Sequence, residues 1–170
     1  MSSFTRAFRP VISRSKIPRC SNLTPLVGWS AARNFSATTI IQAKKFTKEH
    51  EWIEVSEDGK TGTMGITEYA SKALGDVVYV ELPAVKLQFS KGESIGAVES
   101  VKSASDINAP VSCTITAVNK SLEDSPKIIN DEPENSGWFA KVELSESGIN
   151  EMHDLMDLQE YKDLTEKDDH

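Results

Sequence analysis

Cysteine is nearly missing from this 170-residue chain, with only Cys20 and Cys113 present. Cys20 falls in a stretch that reads as removable, which leaves Cys113 without an intramolecular partner and excludes a disulfide framework. Histidine is nearly as sparse, with three, and no Cys or His pair stands at metal-ligand spacing, which argues against a zinc site. No apolar run approaches about 18 residues, so no segment has the length to span a membrane as a helix. A phosphate-binding loop is also lacking, since Gly92 and Gly96 neither follow the Walker spacing nor open a helix. At this length one domain of ordinary size fits with an extension, and a second catalytic domain does not.

Acids are missing from the start of the chain: residues 1–43 contain Arg6, Arg9, Arg14, Lys16, Arg19 and Arg33, and the first acid is Glu49. The thirteen lysines that follow face all twenty-six acids, so the rest of the chain carries a formal charge of about −13. Such a surface repels nucleic acid and anionic membranes, so neither is an expected partner. The basic stretch is rich in serine and has no continuous apolar core, which is the composition of a mitochondrial transit peptide; a disordered basic arm is the competing reading. Arg33-Asn34-Phe35 before Ser36 resembles a matrix-protease site, and Phe35 to Gln42 resembles the octapeptide removed by a second protease. We therefore assign residues 1–43 to a presequence, its end falling between 35 and 47, and residues 44–170 to one domain.

From Trp52 to Leu144 the chain reads as short extended stretches between turn residues, the rhythm of a β-sandwich or barrel. Strands are expected at Trp52–Val55, Lys60–Ile66, Val77–Leu82, Glu93–Ser100, Ser103–Asn108, Val111–Val118 and Trp138–Leu144, with a turn at Ser56–Gly59. Thr67 can cap a short helix over Glu68–Leu74 that Gly75 ends in the left-handed conformation, with Tyr69, Ala70, Ala73 and Leu74 on its buried side. The polar stretch Asn119–Gly137, with Pro126 and Pro133, reads as a long surface connection. Ile149, Met152, Leu155 and Met156 fall at helical spacing and read as a core stripe, with Leu158, Tyr161 and Leu164 continuing it and Glu166–His170 a frayed tail.

Candidates for catalysis are few. His153 reads as a solvated residue, and His50, between Glu49 and Glu51, as a half-exposed residue at a strand entry, with proton transfer as the competing role. The unusual segment is Gly96-Ala97-Val98-Glu99-Ser100-Val101-Lys102-Ser103-Ala104-Ser105-Asp106, one lysine among small residues. Pairing its two halves puts Val101-Lys102 at a hairpin tip, where another enzyme could reach and acylate the amine. A primed two-residue turn wants Gly or Asn, and β-branched Val101 disfavours positive φ, so a type I turn or another register is required. On spacing alone the twelve other lysines of the domain have equal claim.

That segment, followed by Asn108-Ala109-Pro110-Val111-Ser112, resembles the lipoylation motif of glycine cleavage H proteins. Further blocks agree in order and spacing: His50-Glu51-Trp52, Gly65-Ile66-Thr67 with Leu74-Gly75-Asp76, Val80-Glu81-Leu82-Pro83, Ser136-Gly137-Trp138 and Glu160-Tyr161. Biotin carriers hold their lysine between methionines, and acyltransferase lipoyl domains commonly have Asp-Lys-Ala at the tip, neither of which matches Val101 and Ser103. Two positions depart from the family: Cys113 stands where Gly is usual, and Ala73 where some relatives carry His.

The resemblance implies a mainly β, lipoyl/biotinyl-type flattened barrel or sandwich of two small antiparallel sheets, with a short helix after the second strand and C-terminal helices. It implies a carrier without catalytic residues, with lipoic acid amide-linked to Lys102. The arm would carry an aminomethyl group from the P protein (glycine decarboxylase) to the T protein (aminomethyltransferase). The L protein (dihydrolipoyl dehydrogenase) would then reoxidise the dithiol in the mitochondrial matrix. Glu51 and Asp106 map to the acids that line the family's cleft and are the expected contacts to the loaded arm. Lipoyl-attaching enzymes are further implied partners, and donation of lipoyl to other domains an added role. The reading from a different class is a small enzyme using His50 with Glu51 or Glu49.

Overall fold

The structure, a computed structural model, describes residues 44–168; the expected presequence with its processing sites and Cys20, and residues 169–170, lie outside the described residues. β1 (Lys44–Phe46), which the sequence reading did not foresee, leads into β2 (Glu51–Val55). β2 folds back on β3 (Thr61–Ile66) through Ser56–Gly59, with Gly59 at φ 68°. The Asp58 carboxylate closes this turn by accepting from the Thr61 and Lys60 amides at 3.0 and 2.9 Å, and those bonds hold its pKa below the usual value.

Thr67 caps α1 (Glu68–Leu74) by accepting from the Ala70 amide at 3.2 Å. Gly75 ends the helix at φ 79° and ψ −153°. The φ is positive as expected, but the ψ lies in the extended mirror region that is essentially glycine's own, not in the left-handed helical one. The chain continues as β4 (Val77–Glu81), β5 (Gln88–Phe89), β6 (Ser94–Ser100), β7 (Ala104–Asn108), β8 (Cys113–Val118) and β9 (Ala140–Leu144). The strands form two antiparallel sheets, a larger one in the order β1-β2-β3-β9-β8-β5 and a three-stranded one in the order β4-β6-β7. Ile53, Met64, Ile115 and Val142 from the first and Val77, Val80, Val98 and Ile107 from the second fill the core. This is the mainly β, two-sheet architecture expected.

Three local expectations fail. On α1 it is Ser71 and Leu74 that are buried, while Ala73 is exposed; Ser71 is admitted because its hydroxyl donates to the Ile129 carbonyl at 3.0 Å. The stretch Asn119–Gly137 is not a mere surface connection: it forms α2 (Ser121–Asp124) and α3 (Ile128–Asp131), and Leu122 and Ile129 are fully buried. One apolar residue per short helix is enough to anchor it, and the polar majority conceals that. The C-terminal stripe is broken into α4 (Glu146–Glu151), a 3₁₀ turn (Met152–Asp154) and α5 (Leu158–Asp168). Leu155 is buried on extended backbone, Met156 exchanges backbone bonds with Phe46, Ile149 is exposed, and α5 continues through residues expected to fray. Tyr161 of α5 stacks on Phe46 at 4.7 Å and, with Trp52, makes a second small core.

Candidate functional site

The β6–β7 hairpin places Lys102 at its tip. Glu99 pairs with Ala104 and Val98 with Ser105, so Val101 and Lys102 are the loop, both exposed. Ser100 builds the turn. Its amide donates to the Ser103 carbonyl at 2.7 Å, and its hydroxyl donates to the same carbonyl at 3.0 Å. That hydroxyl also accepts from the Lys102 and Ser103 amides at 3.1 and 3.0 Å. A side chain thus takes over a backbone bond of the hairpin. Val101 needs no positive φ, since among the described residues only His50 and Lys86 are non-glycine residues there. The difficulty raised by Val101 is removed by a non-primed turn.

The tip rests on the α1–β4 connection. The Val101 amide donates to the Asp76 carbonyl at 3.2 Å, and the Lys102 side chain runs over Gly75, where an added Cβ would lie 3.4 Å from Nζ. Asn130 of α3 fixes that platform: it accepts from the Val77 amide at 2.9 Å and donates to the Gly75 carbonyl at 2.8 Å. Sequence reasoning missed Asn130, placing it on a surface connection. The adjacent Ile128-Ile129 was the available sign that this stretch turns inward.

Beside the hairpin lies a cleft of about 440 Å³, bounded by the entry to β2, by Ala70, Ala73 and Leu74 of α1, and by Ser103 and Ser105 to Asn108 of the hairpin. Glu49, His50, Glu51 and Asp106 all line it. Glu51 is fully buried, its carboxylate accepting from the Thr47 hydroxyl and from the Asn108 amide and side chain at 3.0 and 3.3 Å. It therefore also ties the β1–β2 turn to the end of β7. Asp106 is exposed at the rim, and neither acid takes part in an ion pair among the described residues. His50 Nδ1 lies 2.9 Å from the Tyr161 hydroxyl, which in turn lies 2.7 Å from the Thr67 hydroxyl. Burial pushes the Tyr161 phenol up to about 12. His153 is exposed, and no group of three or more His, Cys, Asp or Glu among the described residues is placed to hold a metal. Cys113 is a buried free thiol, pushed up to about 11 by burial first and Glu151 second, which makes it a poor nucleophile.

The family model described as Glycine cleavage H-protein matches residues 44–168. The chain is 47% identical over 139 residues to the mitochondrial glycine cleavage system H protein 2 of Arabidopsis thaliana, covering 82% of this chain and 86% of the relative. It is 44% identical over 129 residues to the mitochondrial glycine cleavage system H protein of Saccharomyces cerevisiae, covering 75% of each. A crystal structure of a glycine cleavage system H protein from Mycobacterium marinum superposes with a TM-score of 0.63 at 37% identity, over 72% of this chain and 95% of that one.

Proposed function

Because this chain belongs to the glycine cleavage H-protein family, we propose that it is the lipoyl shuttle of that system and that Lys102 bears the lipoyl group as an amide. The observation that carries the reading is Lys102 exposed at a two-residue tip beside an acid-lined cleft. The site fits the group: the tip offers no bulky barrier to an acylating enzyme, and the cleft has the size of an ordinary small-ligand pocket. When bound, the lipoyl group supplies the sulfur that holds an aminomethyl cargo between the P and T proteins, and the dithiol that the L protein reoxidises.

The chain's own residues do the rest. Ser100 and Asn130 fix where the amine stands. Ile66, Leu74 and Val98 give the cleft apolar walls that limit water, and Glu51 and Asp106 face a cationic amine with negative charge. Tethering raises the effective concentration of the cargo at each successive partner. The same display would serve transfer of the lipoyl group to other lipoyl domains. Removal of residues 1–43 on import and residence in the matrix complete the reading, supported by the mitochondrial relatives.

Mass spectrometry of protein from cells degrading glycine should find one lipoyl group, on Lys102, and Lys102→Arg should abolish glycine cleavage. Activity that survives Lys102→Arg would favour an enzyme instead. The cleft assignment is tested with Glu51→Gln and Asp106→Asn, which spare more of the packing than alanine; aminomethyl release into solvent at the wild-type rate would remove it.

A further inference from the structure

A sheet edge behind the lysine is built to expose apolar surface. β4 pairs with β6 through an irregular register, Val77 opposite Ser100 and Tyr79 opposite Glu99, so β4 takes two steps where β6 takes one. Strict alternation would put Val77 and Tyr79 on one face. The bulge instead keeps Val77 and Val80 in the core at 1% and 3% exposure, and turns both Val78 and Tyr79 outward at 54% each. By register Tyr79, Glu99 and Ala104 form the outer row nearest the tip, and Val101 at the tip is 76% exposed. Val101 is tied to the strand's entry by its bond to the Asp76 carbonyl, so Val78, Tyr79 and Val101 sit on one rigid unit with Lys102.

We propose that Val78, Tyr79 and Val101 form the docking patch for the enzyme that acylates Lys102; this rests on the carrier reading above. In the acylation step the Nζ lone pair attacks the carbonyl carbon of an activated acyl donor, an acyl-adenylate or acyl thioester. The C–N bond forms, the bond to the phosphate or thiolate leaving group breaks, and Nζ gives up a proton. An enzyme carrying out this step must bring its reacting centre to the end of an unmodified lysine side chain, so its contacts fall on the surface immediately around the tip. Enzymes that act later meet the end of a much longer arm and do not need that surface. Asp76, Glu81 and Glu99 are exposed around the patch, which asks for a basic rim on the partner and an apolar centre.

The test uses the full chain in its unacylated form with lipoyl-adenylate and a lipoyl-attaching enzyme. Val78→Ser/Tyr79→Ser together, and Val101→Ser alone, should lower kcat/KM for acylation of Lys102 by tenfold or more, mainly through KM. The same variants, once acylated to completion, should cleave glycine at the wild-type rate. Where the double variant melts early, Tyr79→Lys carries the same expectation. Acylation within twofold of wild type overturns the inference, and so does wild-type acylation with impaired glycine cleavage, which would assign the patch to a later partner. Failure of the wild-type chain to accept a lipoyl group on Lys102 sinks the carrier reading itself, and this inference with it.

Discussion

Asn130→Ala should loosen the platform under Lys102 although Asn130 belongs to a different part of the chain. Its side chain makes two good bonds, 2.9 Å from the Val77 amide and 2.8 Å to the Gly75 carbonyl. Val77 is 1% exposed, so its amide has little access to a replacement water. An unsatisfied buried donor costs roughly 1–3 kcal/mol and an ordinary lost bond roughly 0.5–1.5 kcal/mol, which together give about 2–4 kcal/mol. That is a large part of the roughly 5–15 kcal/mol by which a domain is stable. Urea unfolding followed by the fluorescence of buried Trp52 measures it. Asn130→Asp keeps an acceptor for Val77 but turns a carboxylate oxygen on the Gly75 carbonyl, so it should rescue little of the loss. Amide exchange supplies the local readout: the Val77 proton should exchange at least about tenfold faster in Asn130→Ala, the factor that corresponds to about 1.4 kcal/mol. A stability within about 0.5 kcal/mol of wild type, or an equally protected Val77 amide, would refute the reasoning.

Leu122→Ala should cost about 2–5 kcal/mol in urea unfolding, because the side chain is fully buried; a loss under about 1 kcal/mol would return α2 to the surface. Gly75→Ala should cost about 1–3 kcal/mol from its φ of 79°, yet leave Lys102 acylation near wild type, since a Cβ 3.4 Å from Nζ is an ordinary contact; a large loss of acylation with little loss of stability would contradict this. Stability should hold up to about pH 9 and then fall by about 1–2 kcal/mol toward pH 11, because the unfolded Cys113 thiol ionises near 9 while the folded one keeps its proton to about 11. Tyr161 adds a second decline between about pH 10 and 12, with the same sign. Urea midpoints that stay flat from pH 8 to 11 would count against both assignments, and a slope untouched by Cys113→Ala would count against the first.

The lysine hairpin was legible because its two strands and their small neighbours lie within a few residues of one another, whereas the bonding of its turn by Ser100 was seen only in the structure. The seven longer strands and α1 were readable for the same reason. Asn130 was not, since its partners are 53 and 55 residues away and an amide in a polar stretch carries no local mark of burial. The break between α4 and α5 did leave a mark. Asp157 accepts from the Gln159 and Glu160 amides at 2.9 Å each while Glu160 accepts from the Asp157 amide at 3.0 Å, an Asp-x-x-Glu capping box that announces a helix beginning at Leu158. The helical spacing of Ile149 to Met156 concealed it. Glu51 illustrates a limit of family mapping, because the resemblance placed it at the cleft but gave no hint that the same carboxylate also joins the β1–β2 turn to β7.

β6, the strand that leads to Lys102, is the middle member of its sheet, with β4 bonded along one side and β7 along the other. Its tip is pinned from beneath by Asp76. A group carried on Lys102, as proposed above, would swing from a fixed mast. The radius of its sweep would then be set by the attached chain and not by a polypeptide hinge, and serving several partners would ask no change of shape from the domain.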